Sequence, residues 1–498
     1  MSGGGLTNRV AGWVGMLVVG AFGRIFAMLA ATIVLARLLS PEDFGVASLV
    51  TSIAVVLTVF AGGIPFEEAL TQRKVLRSSH LGTVLAVSWL TSGALLATAL
   101  ALGWLTGAAF GSPIFWHLLA FACLSLFASG VITTLTSVAR RRHEFNLIAR
   151  SDFLGAVTGS TAAIVLAWLG AGAFSLVALR VVASGVAAAY LFWALRVGLR
   201  PSWSMSQLRQ LASYSAFTLG QRLVSDGSYL ILNYMVAIWF SLAAVGHFNM
   251  ALRLIEPLRG VGQAVSHNIS FAFFQKRSER PGQFAQLFLH NVVIVALLAF
   301  PVFFGLASIA AVLLKVVVGS KWLPAVPIVQ ILALGTALMI PFGLVATALN
   351  ARGAPAHLLM QRLVGFAAMI IAGVGTVTLG LAGVGAALMR TFGDLAEVAW
   401  ALRAQVQVLR IPIMHTLKAI AAPLGASLLM CAAVHAWIAV GSDKWAPAAV
   451  LATALLIGAS VYLVTLAAIS PLARQGMQGA ARHARRLMAD RFRQGAGG

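Results

Sequence analysis

Apolar residues fill the chain in runs of roughly twenty or more positions, separated by short polar or charged connections. That is the length a helix needs to cross the hydrocarbon core of a bilayer. The runs predict fourteen transmembrane helices near residues 12–36, 44–69, 80–106, 114–138, 147–169, 173–197, 213–240, 245–271, 284–311, 322–349, 357–379, 382–408, 412–440 and 446–469. The fold class is therefore all-α and polytopic. The first run is too long for the core of a signal peptide and carries no small-residue cleavage site on a polar flank, so it is expected to stay in the mature protein.

Alternate connections separate by charge. One set carries Arg73, Lys74 and Arg77; Arg140, Arg141 and Arg142; Arg196, Arg200 and Arg209; Lys276, Arg277 and Arg280; Arg352; and Arg403 and Arg410. The other set, "LSPEDFG", "LTGAAFGSP", "LGAGAF", "FSLAAVG", "VVGSKW", "LGLAG" and "VGSDKW", has Lys321 and Lys444 as its only basic residues. The positive-inside rule puts the first set and both termini in the cytoplasm. Tryptophans at run ends, such as Trp13, Trp116, Trp322 and Trp445, suit the membrane interface.

Composition agrees with this pattern. The chain has 498 residues, of which 60% are hydrophobic and 10% charged, against about 25% charged in soluble proteins. A net charge of +22 would point to nucleic acid in a soluble chain. Here the basic residues gather at helix ends, and no nucleic-acid partner is expected. Cys123 and Cys431 lie within apolar runs and read as small hydrophobes. The tail "RQGMQGAARHARRLMADRFRQ" reads as a basic anchor against anionic membrane lipid. The outside connections are too short for an extracellular catalytic domain.

The two halves echo each other. "ARLLSPEDFGVASLV" (36–50) aligns with "AIWFSLAAVGHFNMA" (237–251) at an offset of 201, pairing Ser40 with Ser241 and Gly45 with Gly246. "GAGAFSLVALR" (170–180) aligns with "GLAGVGAALMR" (380–390), each ending in arginine. The expected organisation is a six-helix lobe over 1–210 and a parallel-related six-helix lobe over 211–410. Two additional helices over 411–470 and a basic cytoplasmic tail over 471–498 follow. Parallel repeats of this kind mark transporters, with the substrate site between the repeats.

Within the first connection, Pro41 cannot continue helix one, Ser40 can cap the next helix, and Glu42 and Asp43 suit its positive N-terminus. "VLARLLSPEDFGVASLV" also resembles the first loop of the oligosaccharide flippase (Wzx-like, polysaccharide biosynthesis) family. The family's form Leu-Ala-Arg-x-Leu-x-Pro-x-Asp/Glu-Phe/Tyr-Gly fits residues 35–45. That family belongs to a superfamily containing MATE multidrug exporters and the lipid II flippase. The resemblance implies a flippase, not an enzyme, that moves undecaprenyl-pyrophosphate-linked oligosaccharide across the membrane by alternating access. The product would be surface polysaccharide such as O-antigen, capsule or exopolysaccharide. It also implies a polysaccharide polymerase and other export machinery as partners.

Charges inside the spans are the candidate chemistry, because a charge at mid-bilayer costs about 2.5–3.5 kcal/mol and needs a partner or water. They are Arg24, Arg180, Arg222, Asp226, Arg253, Glu256, Arg259, Lys315, Arg390, Asp394 and Glu397. Arg222 and Asp226 are four apart, as are Arg390 and Asp394, while Glu256 lies three residues from both Arg253 and Arg259. After pairing, Arg24, Arg180 and one of Arg253 or Arg259 are left over. Arginine binds phosphate through two parallel hydrogen bonds. Arg24, Arg180, Arg222, Arg253, Arg259 and Arg390 are thus the expected substrate-binding residues for a pyrophosphate. Pro257 is expected to bend helix eight and open this cluster toward a cavity.

No Gly-x-x-x-x-Gly-Lys-Ser/Thr motif occurs, which argues against ATP hydrolysis by this chain, and no spaced metal-ligand set is present. No cofactor is expected. Coupling, if it exists, would use a proton or sodium at a buried carboxylate: Asp226, Glu256, Asp394 or Glu397. Glu67 and Glu68, beside Arg73, read as structural. Gly155 and Gly159, like Gly103 and Gly107, match Gly-x-x-x-Gly, but among 48 glycines this reads as chance. A lipid II flippase shares the expected charge. A MATE-type exporter of cations should have an acidic cavity, and a membrane glycosyltransferase or polymerase should have larger outside loops.

Overall fold

The computed structural model describes residues 27–61, 66–67, 70–71, 76–106, 114–277, 281–351, 356–381, 383–441 and 444–469. Side chains are described for these residues except 103, 105–106, 211–218, 221, 261–277, 281–282, 350–351 and 356. Arg24 and the tail over 471–498 lie outside the described residues. Among the described residues there is no strand. The helices are α1 (Ala27–Leu38), α2 (Pro41–Phe60), α3 (Ser78–Thr106), α4 (Ile114–Arg141), α5 (Phe145–Trp168) and α6 (Ala173–Leu195). After these come α7 (Met205–Trp239), α8 (Leu242–Arg277), α9 (Pro281–Leu313) and α10 (Val326–Ala351). The last four are α11 (Ala356–Thr378), α12 (Gly385–Ala404), α13 (Ile413–Gly441) and α14 (Pro447–Ile469).

Ten of these segments are long and apolar enough to cross a membrane, so the chain is a multi-pass membrane protein. The helices outside that set are α1, α7, α8 and α12. The last three carry most of the interior charges.

Local chemistry explains the helix boundaries. Ser40 caps α2 with a reciprocal pair: its Oγ accepts from the Asp43 N–H at 3.1 Å, and the Asp43 carboxylate accepts from the Ser40 N–H at 3.2 Å. Its repeat equivalent Ser241 caps α8 by accepting from the Ala244 N–H at 3.0 Å. The second repeat is equally visible in its turns. After α5, the Ala171 N–H donates to the Leu166 carbonyl and Gly170 takes a φ of 82°. After α11, Leu381 donates to Thr376 and Gly380 takes a φ of 66°. Both turns stop a helix with a left-handed glycine, the conformation that an L side chain resists. All three positions in each turn correspond at an offset of 210.

Two compact units divide the chain. The first comprises residues 1–254 and 369–390, the second 255–368 and 391–498. In the first, α2 packs on α4, α6 and α7, while α5 lies along α6 and α3 along α4. Gly155 and Gly159, which read as a chance match, sit where α5 meets α6. A Cβ on Gly155 would come within 2.6 Å of the Ala183 carbonyl oxygen, and one on Gly159 would fall on that of Leu179. This is close backbone packing of the small-residue kind. In the second unit, α9 packs on α10, α13 and α14. The chain passes between units three times, each time inside a helix: α8, α11 and α12. α8 is continuous through Pro257. Proline has no N–H, so the Arg253 carbonyl loses its helical partner there.

Candidate functional site

In the first unit the candidate charges come from α6, α7, α8 and, with Arg390, the start of α12. Arg180 on α6 is half-buried and its Nη2 donates to Thr58 Oγ1 on α2 at 3.3 Å. Thr58 spends its own hydrogen on the Ala54 carbonyl, which leaves the oxygen able to accept. Asp226 on α7, also half-buried, lies in the field of Arg222 on its own helix and of Arg180 on α6. One carboxylate therefore faces two guanidinium groups.

Arg253 on α8 lies over the ring of Phe44 on α2, its Cζ 5.3 Å from the ring centroid. Beside it runs a buried polar chain that joins α7 to α8. Tyr229 donates its hydroxyl hydrogen to Asn249 Oδ1, and Asn249 Nδ2 donates to Asn233 Oδ1 at 2.7 Å. Asn233 Nδ2 returns to the Tyr229 carbonyl at 2.9 Å. Each donor finds an acceptor, as burial requires.

In the second unit, Glu256 takes Arg259, with Oε1 accepting from Nη1 at 3.1 Å. Of the two arginines equally spaced from Glu256, the structure thus pairs Arg259 and sends Arg253 to a ring. Arg259 is buried, 8% exposed, whereas the Glu256 side chain is half exposed. The Arg259 Nη2 contacts the Met339 sulfur at 3.3 Å, and its buried Nε–H has no hydrogen-bond acceptor among the described residues. Leaving a guanidinium N–H unmet in a low-dielectric site is costly. An anion with spare oxygens is the group that would satisfy it.

Glu397 on α12 is buried and binds Arg362 on α11, with Nη1 donating to both carboxylate oxygens at 2.8 and 3.0 Å. The helices approach closely at this point: a Cβ on Gly365 would come within 2.9 Å of Glu397 Oε1. Asp394 is buried one turn earlier, and Arg390 is half-buried. Glu67 pairs with Arg140 at 2.9 Å, beside Arg141 and Arg142, which donate to the Thr71 and Leu195 carbonyls. The residues Arg180, Arg222 and Asp226 are thus brought together, as are Glu256 and Arg259.

Sequence reasoning missed Arg362 as a partner of Glu397, Phe44 as a partner of Arg253, and the Tyr229, Asn233 and Asn249 chain. A signal existed for the last. Asn233 and Asn249 lie at nearly equal distances on either side of the turn at 240–241, so adjacent antiparallel helices bring them level.

A family of polysaccharide biosynthesis proteins matches residues 34–327, more than half of the chain and the whole of the capped loop motif. The chain belongs to that family. Within the polysaccharide biosynthesis family, it is similar to the succinoglycan biosynthesis transport protein ExoT of Rhizobium meliloti (strain 1021). The two are 26% identical over 67% of each chain. It is also similar to the teichuronic acid biosynthesis protein TuaB of Bacillus subtilis (strain 168), 28% identical over 29% of this chain and 30% of that one.

Among solved structures, the lipid II flippase MurJ in an inward closed conformation matches with a TM-score of 0.74. The identity is 14%, over 91% of this chain and 98% of that one. An inward-facing multidrug resistance MATE transporter of the MOP superfamily matches with a TM-score of 0.58 at 18% identity, over 78% of this chain and 95% of that one. The fold of this polysaccharide biosynthesis protein is therefore the one shared by MurJ and the MATE transporters.

Proposed function

We propose that this protein is a flippase moving undecaprenyl-pyrophosphate-linked oligosaccharide across the bacterial cytoplasmic membrane for surface polysaccharide synthesis. It works by alternating access of the two repeat lobes, over 1–210 and 211–410, within fourteen spans whose termini are cytoplasmic. Family membership and the transport protein named among its relatives support this reading. The single observation that carries the substrate chemistry is Arg259, a buried guanidinium whose Nε–H lacks an acceptor among the described residues and whose carboxylate partner Glu256 is half exposed. Such a group can engage a pyrophosphate with parallel donors while Glu256 swings to water. Arg180, Arg222, Arg253 and Arg390, with Arg24, supply the remaining positive field along the path.

For ion coupling the candidates are Asp226, Glu256, Asp394 and Glu397, and Asp226 stands first because it interacts with both Arg222 and Arg180 at the junction of α6 and α7. A proton or sodium on Asp226 would change the balance against Arg180 and Arg222. The arginine surplus favours this reading over a MATE-type exporter of cations. A lipid II flippase shares the same charge logic and differs in the sugar. A polymerase of the growing polysaccharide is the expected functional partner on the outer side. The deciding experiment is to identify which lipid-linked sugar accumulates on the inner leaflet of cells lacking the protein. Accumulation of an undecaprenyl-pyrophosphate oligosaccharide is the expected result, and unchanged lipid-linked pools with altered drug sensitivity would overturn it.

A further inference from the structure

The repeat-related helices α2 and α8 meet within the first compact unit in a contact that exchanges equivalent residues. A Cβ on Gly45 would land on the Leu242 carbonyl oxygen, and a Cβ on Gly246 on the Pro41 carbonyl oxygen. Gly45 corresponds to Gly246, and Pro41 to Leu242, at the same offset of 201. The seam is therefore self-complementary, like a two-fold interface built inside one chain. It closes on bare backbone. Phe44 precedes Gly45 and is fully buried, and Arg253 lies over its ring from α8, seven residues and two turns beyond Gly246 on the same face.

We infer that Arg253 is a latch on this seam. Stacked on Phe44, it holds α2 and α8 together at the end that the charge pattern places outside, and an anion drawn to its guanidinium lifts it off the ring. A phosphate takes the in-plane N–H groups and offsets the positive charge that draws the guanidinium to the ring face, so binding an anion weakens the contact with Phe44. Release of that contact weakens the hold on this end of the seam, so the charge of the substrate favours opening on the far side. The inference rests on the flippase reading and its topology, and it adds the residue that links binding to opening.

The test uses the full chain with Cys123 and Cys431 replaced by serine and a reporter thiol at Ser48→Cys, three residues beyond Gly45 on the same helix and buried. In proteoliposomes, a membrane-impermeant thiol reagent is applied from the outer side, with or without undecaprenyl pyrophosphate. The latch predicts slow labelling that rises several-fold with the lipid. Phe44→Leu, which keeps an apolar side chain and removes the ring, should label fast without lipid and respond little to it. Phe44→Tyr should behave as the reference protein. Gly45→Val and Gly246→Val, which block the seam from either side, should label fast and alike. Thermal melting of each variant in detergent separates opening from unfolding. Slow labelling in Phe44→Leu, with melting unchanged, would overturn the latch. Fast labelling in Phe44→Leu together with a reference protein blind to the lipid would overturn release by the pyrophosphate while leaving the accumulation test of the flippase reading untouched.

Discussion

Two arginines of the second unit should respond to the same substitution in opposite ways. Arg362 holds Glu397, whose side chain is 10% exposed, through 2.8 and 3.0 Å contacts. Arg362→Gln leaves that buried carboxylate without its cation. Breaking a buried pair costs about 3–5 kcal/mol, reduced to about 2–3 kcal/mol because the Arg362 side chain is itself half exposed. Arg259 reverses the arrangement, being buried against a Glu256 side chain that is 50% exposed. After Arg259→Gln the carboxylate rehydrates, and the lost pair is worth only about 0.3–0.5 kcal/mol, as for neighbours one helical turn apart.

Thermal unfolding in detergent, paired with polysaccharide export and protein abundance in cells, separates the two. Arg362→Gln should melt early and be scarce, with export per molecule largely kept. Arg259→Gln should melt like the unmodified protein and be abundant, yet export little. Arg259→Lys should rescue poorly, since it restores charge without the planar fork. If Arg259→Gln melted as early as Arg362→Gln, or exported normally, the assignment of Arg259 to the substrate would be wrong.

Other expectations follow from packing, topology and energetics. Gly159→Leu should destabilise the protein by about 1–3 kcal/mol, since its side chain would have to part α5 from α6. Gly185→Ala, with open space around it, should be near neutral in the same melting assay. Ser241→Ala should cost about 1 kcal/mol by removing the cap on α8, read as a lowered melting temperature. Cysteines placed at 443 and 278 in a background lacking Cys123 and Cys431 should be labelled from outside and inside respectively, and the reverse pattern would invert the topology. Purified protein in liposomes should move lipid-linked sugar without ATP, so strict ATP dependence would refute secondary transport.

Much of the site was legible in part. Run length and loop charge found the helices, and three of the four that fall short of a simple apolar count, α7, α8 and α12, carry most of the interior charges. The Gly155 and Gly159 motif was visible but could not be told from coincidence, because a glycine pair gains meaning only when a second helix lies against it. Arg362 lies near the start of the predicted 357–379 helix, where nothing in the sequence marks it, and its role appears only where α11 brings it beside Glu397.

What the sequence determined alone is what is decided within a few residues. The span lengths, the Ser40 capping box, the matching Ser241 cap, and the left-handed glycines at 170 and 380 all close through hydrogen bonds reaching no more than six positions. What only the tertiary structure decided is which of two equivalent neighbours a charge takes. Arg253 and Arg259 lie equally far along α8 on either side of Glu256, so helix geometry alone gives no preference. The choice came from what packs against each face. α2 presents the Phe44 ring to Arg253, while α10 covers Arg259 with Met339 and leaves Glu256 as its carboxylate. In a low-dielectric surrounding those neighbours, rather than spacing, set the energy of each charge.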